Sequence, residues 1–302
     1  MEKALVTGGT GFVGRRLCAL LPDVNVLTRS PESAPPELAH ASCFRWDPER
    51  EPPPPESLHG CDAVFHLAGE SVAKGRWTSK KKARIRSSRV LGTKNLVAGF
   101  RGLEHPPSVL VCASAVGYYG SRDDEELYEE SEPGVGFLTD VCREWEAAAH
   151  EAEPVGVRVV TVRIGLVLGR GGALSRLLPI FKLGLGGILG TGKQWMAWIH
   201  VDDLARLMVF AAEEEGLKGP VNGVAPHPVT NRGFTKALGR AVRRPTLIPT
   251  PGFALRFGLG EFSEVLLGSQ RVTPRAAIDA KFEFRFQKVS RALEAICNPR
   301  AG

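Results

Sequence analysis

Leu5-Val6-Thr7-Gly8-Gly9-Thr10-Gly11-Phe12-Val13-Gly14 is the stretch whose reading decides the fold. Apolar or β-favouring residues run into glycines spaced Gly-x-x-Gly-x-x-Gly, and Val13, Leu17, Leu20 and Leu21 then recur on one helical face. The pattern predicts a strand, a tight turn and a helix. Gly8 allows the turn, Gly11 lets backbone approach a pyrophosphate, and Gly14 lets the helix pack close to the strand. Phosphates would meet the unpaired amides at the helix N-terminus, so Gly8, Thr10, Gly11, Phe12, Val13 and Gly14 are the expected contacts. A glycine-rich turn before an ordinary helix has the same spacing. Its position at the head of an alternating chain favours the dinucleotide site.

The 302 residues are 43% hydrophobic and 24% charged, the balance of a soluble protein large enough for one α/β domain with a smaller lobe. No apolar run approaches the roughly 18 residues of a membrane span, and the first strand starts too near Met1 to leave room for a leader. Cys18, Cys43, Cys61, Cys112, Cys142 and Cys297 show no Cys-x-x-Cys pair and no histidine at metal spacing. No metal site is expected, and a reducing cytoplasm is the simplest compartment. The net charge of +6 allows a polyanionic partner, but a phosphate-rich cofactor favours the same surface.

Residues 24–28 predict a second strand, and Thr28, Arg29 and Ser30 follow where an NAD site usually places an acid for the ribose 2′-hydroxyl. A guanidinium there can take a 2′-phosphate bidentately, so NADP(H) is the expected cofactor. An exposed arginine after a strand is the plainer alternative. Residues 33–55 are rich in proline; within them residues 42–47 suggest a third strand carrying Trp46 and Asp47 towards the adenine. Residues 62–70 read as a buried parallel strand ending in Leu67-Ala68-Gly69-Glu70, where backbone can approach a dinucleotide, with His66 packed inside. The basic run from Lys74 to Lys94 reads as a solvated helix face after Thr78. Nucleic acid is its alternative, weakened by the lack of interleaved aromatics.

Residues 109–113 predict a fifth strand that delivers Ser114-Ala115-Val116-Gly117-Tyr118-Tyr119-Gly120 to the ligand-binding edge of the sheet. A helix over 137–150 and a sixth strand over 157–164, with Arg163 near its end, follow. Gly187 to Lys193 has the spacing of a phosphate-binding loop, but Gln194 replaces the Ser or Thr that would hold Mg²⁺ and the sequel reads as extended. Asp202 and Asp203 open a helix. Beyond Pro220 the pattern predicts a short strand at 221–224, a helix from Thr230, another over 253–267, and alternating Phe282, Phe284 and Phe286. The whole reads as α/β, a doubly wound parallel-sheet Rossmann domain over 1–165 and 191–228, with a smaller substrate lobe over 166–190 and 229–302.

The glycine turn, Leu67-Ala68-Gly69-Glu70, Ser114 to Gly120, Trp145-Glu146, Val167-Leu168-Gly169, Trp198-Ile199-His200, Asn222 to Pro226 and Gln270 to Pro274 together resemble the extended short-chain dehydrogenase/reductases. Within them the chain looks like the atypical branch of epimerase family proteins. The resemblance spans nearly the whole chain and is more specific than the glycine run. It implies NADP(H) bound by the glycine turn, Thr28, Arg29, Trp46, Glu70 and the end of the sixth strand near Ile164.

The departure from the family matters as much. Its wider members carry Tyr-x-x-x-Lys on the helix after the fifth strand, the lysine lowering the tyrosine pKa. Here Leu138 and Cys142 stand at those positions. Ser114 matches the serine or threonine that polarises the substrate oxygen, and Tyr118 or Tyr119 could bring a phenol, though without an adjacent cation either stays a weak acid. Cys142 is a candidate thiol acid, with an inert buried cysteine the commoner case. The readings left are an NADP(H)-dependent oxidoreductase or nucleotide-sugar epimerase, a non-catalytic NADP(H)-binding or sensing protein, and, weakest, a polyanion binder. The substrate is a small polar molecule of unread identity, with no nucleic acid or membrane partner expected; oligomeric state is not encoded legibly.

Overall fold

Seven parallel strands carry the molecule in the computed structural model, which describes residues 1–298. They are β1 (Lys3–Thr7), β2 (Asp23–Thr28), β3 (Ser42–Arg45), β4 (Ala63–His66), β5 (Val109–Ala115), β6 (Arg158–Ile164) and β7 (Gly219–Gly223). Their order across the sheet is β7-β6-β5-β4-β1-β2-β3, so the winding reverses between β1 and β4, where ligands of open α/β sheets bind. Parallel strands buried on both faces need apolar residues on both. Leu5 and Val6 are each fully buried but point to opposite sides. Val6, Val26, Phe65, Val111 and Val162 pack on one face, and Leu5, Leu27, Val64 and Leu110 on the other.

The helices that matter to the site are α1 (Phe12–Cys18), α2 (Ser79–Ala98), α3 (Phe137–His150), α4 (Gly172–Lys182), α5 (Val201–Glu213) and α6 (Asn231–Ala241). Thr78 caps α2 by accepting from the Lys81 amide, and Thr230 caps α6 by accepting from the Gly233 amide, at the two places where the sequence predicts helix starts. α1 ends at Cys18, short of Pro22. The helix expected over 253–267 is two pieces, α7 (Gly252–Leu259) and α8 (Ser263–Leu267), broken at Gly260 with φ +60. β3 stops at Arg45, before Trp46. Among the described residues no helix is long and apolar enough to cross a membrane.

A separate apolar cluster packs Leu168, Leu174, Phe181, Trp198, Phe234, Leu238 and Leu293 together, joining residues of the expected lobe to Trp198 of the expected Rossmann segment. Part of the expected lobe instead returns to the sheet. Phe282 and Phe284 are each 8% exposed within the core of the α1/α5 face, and the amides of Arg285 and Phe286 donate to the Asp203 carboxylate. The loop with phosphate-loop spacing has no following helix: a Cβ on Gly187 would strike the Ile248 carbonyl, and the Gln194 amide donates to the carbonyls of Leu189 and Leu266. Its glycines serve chain packing.

Candidate dinucleotide groove and the polar network beside it

The glycine turn is built as a cradle. Gly8 has φ +70, and a Cβ there would lie 2.8 Å from the Leu67 carbonyl carbon and 2.9 Å from the Ala68 nitrogen. The turn after β1 therefore lies directly on the Leu67-Ala68-Gly69 backbone after β4. A Cβ on Gly14 would strike the Gly8 carbonyl oxygen, and the Gly11 amide donates to that oxygen at 3.0 Å. No side chain caps α1, which leaves its first amides for a ligand. A dinucleotide pyrophosphate fits such a cradle.

Polar contacts fix the two backbones. Thr7 Oγ1 accepts from the Ala68 amide at 3.1 Å and bonds His66 Nδ1 at 2.7 Å, while His66 Nε2 meets Thr93 Oγ1 at 2.9 Å. Burial, with help from the nearby Arg89 charge, pushes His66 down to about 3. It is a neutral structural imidazole, as its place in an apolar strand suggested. The Phe12 ring lies against Gly169, Gly171 and Gly172, where added Cβ atoms would meet it, so Phe12 reaches the groove by backbone only. Val13 packs against the core of the sheet.

At the end of β2, Thr28 Oγ1 accepts from the Ser30 amide, and Arg29 is exposed with no ion pair among the described residues. Its exposure is common to both sequence readings, the 2′-phosphate ligand and the plain surface arginine. Trp46 does not follow the expectation: it is 2% exposed in the core with Leu5 and Leu27, its indole N–H donating to the Glu51 carbonyl. β3 ends one residue earlier, and the ring turns inward to the core. Glu70 is drawn into ion pairs with Lys81 and with Arg84 (3.0 Å), which, led by the Lys81 bond, hold its carboxyl below the usual range. Its side chain organises cations rather than facing a cofactor. Half-buried Ile164 closes β6 beside Ala115 and Gly223.

The expected catalytic groups lie in a buried polar network. Ser114, 3% exposed, donates to Glu146 Oε1 at 2.6 Å. Arg163 grips both oxygens of the same carboxylate, at 2.9 Å each, and donates to Tyr119 Oη at 3.0 Å and the Glu129 carbonyl at 2.9 Å. Burial disfavours the Arg163 charge, but the bidentate Glu146 pair outweighs it and holds the guanidinium ionised. The Tyr119 hydroxyl donates to Asn222 Oδ1 at 2.7 Å, and burial pushes that phenol up to about 12. Ser114 and Tyr119 thus have their hydroxyls committed inside the protein and lack a face for substrate, contrary to the sequence expectation.

Tyr118 is placed differently. It is only partly buried, with the Arg163 guanidinium 3.5 Å from its ring centre, and its hydroxyl has no partner among the described residues. A cation therefore does stand beside both tyrosines, which the sequence reading missed. The turn holding Tyr118 is clamped by Gln270, whose amide donates to the carbonyls of Val116 and Gly120 at 2.9 and 3.0 Å. Leu138 packs on Gly117, and the buried Cys142 thiol donates weakly to the Ala115 carbonyl. Burial pushes Cys142 up to about 11, so it is no acid/base at neutral pH.

The basic run on α2 is largely neutralised: Lys81 and Arg84 pair with Glu70, Lys82 with Glu261, Arg86 with Glu144 and Lys94 with Glu151. Glu146 and Arg163 are the functional neighbours that sequence reasoning named without using. A charge inside an apolar strand, with a carboxylate on the covering helix, was the available signal, since neither survives burial alone.

Comparison with known proteins agrees with this geometry. Residues 4–222 match the NAD dependent epimerase/dehydratase family, and residues 250–296 match a domain of unknown function, DUF1731. An epimerase family protein of Mycobacterium tuberculosis is 41% identical over 292 residues, covering 95% of each chain. The human epimerase family protein SDR39U1, solved with NADPH, superposes with a TM-score of 0.88 at 33% identity, over 98% of this chain and 99% of that one. A nucleoside-diphosphate sugar epimerase from Corynebacterium glutamicum gives 0.78 at 36% identity, over 99% of this chain and 58% of its own. With the parallel sheet, the glycine cradle and these matches in place, the chain belongs to the NAD-dependent epimerase/dehydratase family, in its branch of epimerase family proteins.

Proposed function

We propose that this chain is an NADP(H)-dependent oxidoreductase acting on a small polar substrate, with Tyr118 as its proton-bearing group. The observation that carries the reading is the cradle of Gly8, Gly11 and Gly14 with the unpaired Arg29 guanidinium at the end of β2. The human relative solved with NADPH supports the cofactor, and the Corynebacterium relative supports a nucleotide sugar as one substrate class. The amides of Phe12, Val13 and Gly14 would hold the pyrophosphate, Arg29 with Thr28 the 2′-phosphate, and the Leu67-Ala68-Gly69 backbone and Ile164 the rest of the groove. When bound, NADP(H) supplies or takes up a hydride.

The chain's own contribution is then proton movement at Tyr118 Oη, held in place by Arg163 against its ring and by Gln270 on its turn. Ser114, Glu146 and Tyr119 keep Arg163 fixed. Six free cysteines suit a reducing compartment, for which we propose the cytoplasm. One observation favours a second reading, a non-catalytic NADP(H) sensor: Leu138 and Cys142 fill the places of the usual acid pair, and Ser114 is occupied.

Deuterium-labelled NADPH with a panel of carbonyl compounds and nucleotide sugars separates the two. Catalysis predicts label transfer that Tyr118→Phe lowers by ~10²-fold while NADPH affinity stays within a few fold. Transfer unchanged by Tyr118→Phe refutes the assignment. Tight NADPH binding with no transfer across the panel favours the sensor.

A further inference from the structure

The positive charge of the chain is unevenly placed. Residues 166–200 hold four Lys or Arg and no Asp or Glu, and residues 219–260 hold six and again no acid. These ten cations exceed the net charge of +6, so the rest of the chain is net acidic. All ten are exposed, and none forms an ion pair among the described residues, whereas the basic run on α2 is mostly paired. Arg232, Lys236 and Arg240 recur every fourth residue along α6, and Lys236, Arg240, Arg243 and Arg244 line one shallow depression at its end.

Uncovered apolar side chains adjoin that depression. The Arg244 guanidinium donates through Nε to the Lys182 carbonyl at 2.9 Å, so the end of α6 meets the end of α4. From there residues 187–190 run beside 248–250: the Thr250 amide donates to the Ile188 carbonyl, and the Gly190 amide to the Thr250 carbonyl. Leu183 is 75% exposed at one end of this seam, Leu247 is 80% exposed along it, and Leu185 and Ile248 are half uncovered. α7 follows at once with the sequence Gly-Phe-Ala-Leu-Arg-Phe-Gly-Leu, and it buries none of its eight residues. Phe253 and Phe257 stand one turn apart on it at 74% and 86% exposure, with Arg256 between them. A helix this apolar gains nothing from the fold by packing and leaves its hydration cost unrelieved.

We propose that this face, from the α6 depression across residues 183–185 and 247–248 to α7, docks on the surface of an anionic lipid bilayer. Phosphate headgroups would meet the unpaired cations, and the Leu, Ile and Phe side chains would enter the boundary between headgroups and acyl chains. The sequence expectation of no membrane partner rests on the lack of a span, and a contact lying on the bilayer needs none. Charge selects this occupant over others. A second copy docked by a two-fold contact would set the cationic face against itself. A nucleic acid would meet the cations but leave the aliphatic side chains in water.

The test is co-sedimentation of the full chain at physiological salt with vesicles of phosphatidylcholine, with and without phosphatidylglycerol. The protein should sediment with the anionic vesicles and stay in solution with phosphatidylcholine alone. Lys236→Glu with Arg240→Glu, and separately Leu247→Ser with Phe257→Ser, should each weaken anionic-vesicle binding by roughly 10-fold or more. Both pairs change exposed side chains, so the melting temperature should match wild type; should a pair not fold, its single changes carry the same expected direction. No sedimentation with anionic vesicles overturns the proposal. Vesicle binding that the serine pair leaves unchanged also overturns it, and makes the face a seat for polyanions such as RNA. A wild-type dimer in ultracentrifugation that the serine pair dissolves, without vesicle binding, makes the face an interface between copies of the chain instead.

Discussion

Replacing Arg163 by methionine should be among the most damaging single changes in the chain. The guanidinium is 3% exposed and holds both Glu146 oxygens at 2.9 Å, so its loss leaves a carboxylate that is 8% exposed with Ser114 as its remaining partner. Breaking a buried pair in this way costs about 3–5 kcal/mol. The lost bonds to Tyr119 and the Glu129 carbonyl act within the same network and are not added separately. For a chain of this length each kcal/mol moves the melting temperature by roughly 2 °C, giving a drop on the order of 8 °C. Replacing both charges, Arg163→Met with Glu146→Met, removes the orphaned carboxylate and should be milder than the sum of the single changes. Urea denaturation followed by circular dichroism on the four proteins gives the coupling, expected to be at least ~2 kcal/mol. Single effects that add to within ~0.5 kcal/mol would show that the two charges do not depend on each other, and the network account would be wrong.

His66 gives a pH dependence with a definite sign. Held neutral at about 3 when folded, against about 6.5 unfolded, it lets only the unfolded chain take up a proton between those values. Its contribution is complete above pH 6.5 and is lost as pH falls towards 3, roughly 2 kcal/mol by pH 5; a His66→Asn protein whose stability falls as steeply as wild type between pH 7 and 5 would refute this. Because Lys81, Lys82, Arg84, Arg86 and Lys94 have acidic partners, nucleic acid should bind weakly and dissociate at ordinary salt. A tight sequence-selective complex in a gel-shift assay at physiological salt would contradict that pairing.

The fold was legible because its signals are local. The turn glycines, the β-favouring runs of β1, β4 and β5, and Thr78 and Thr230 as caps each act over a few residues. α3 was read to its observed ends, Phe137 and His150, since its apolar face and its glycine before the first turn are both written in sequence. What failed depended on distant partners. Trp46 sits one residue beyond β3, and whether its ring turns to a ligand or to Leu5 is decided by core space. Phe282 and Phe284 alternate as strand residues do, yet they are anchored to the sheet domain by Asp203, which lies far earlier in the chain.

The candidate site divides in the same way. Arg29 could be located by counting from the first glycine. Ser114 could not be judged, because a hydroxyl at the end of a strand looks alike whether it faces substrate or Glu146 on the covering helix. Several stretches that carried the family resemblance turn out to be one interlocked structure: Glu146 binds Ser114 and Arg163, Asn222 binds Tyr119 and the Thr273 carbonyl, and Gln270 holds the Tyr118 turn.

The central claim is that the glycine cradle and Arg29 make an NADP(H) site. Its most direct measurement is the affinity of the unmodified protein for NADPH and NADH by cofactor fluorescence, repeated on Arg29→Asp. The account predicts tighter binding of NADPH, and a loss of roughly 2 kcal/mol, about 30-fold, for NADPH in Arg29→Asp, where a charge-assisted pair is replaced by repulsion. Equal affinity of the unmodified protein for the two cofactors would contradict it.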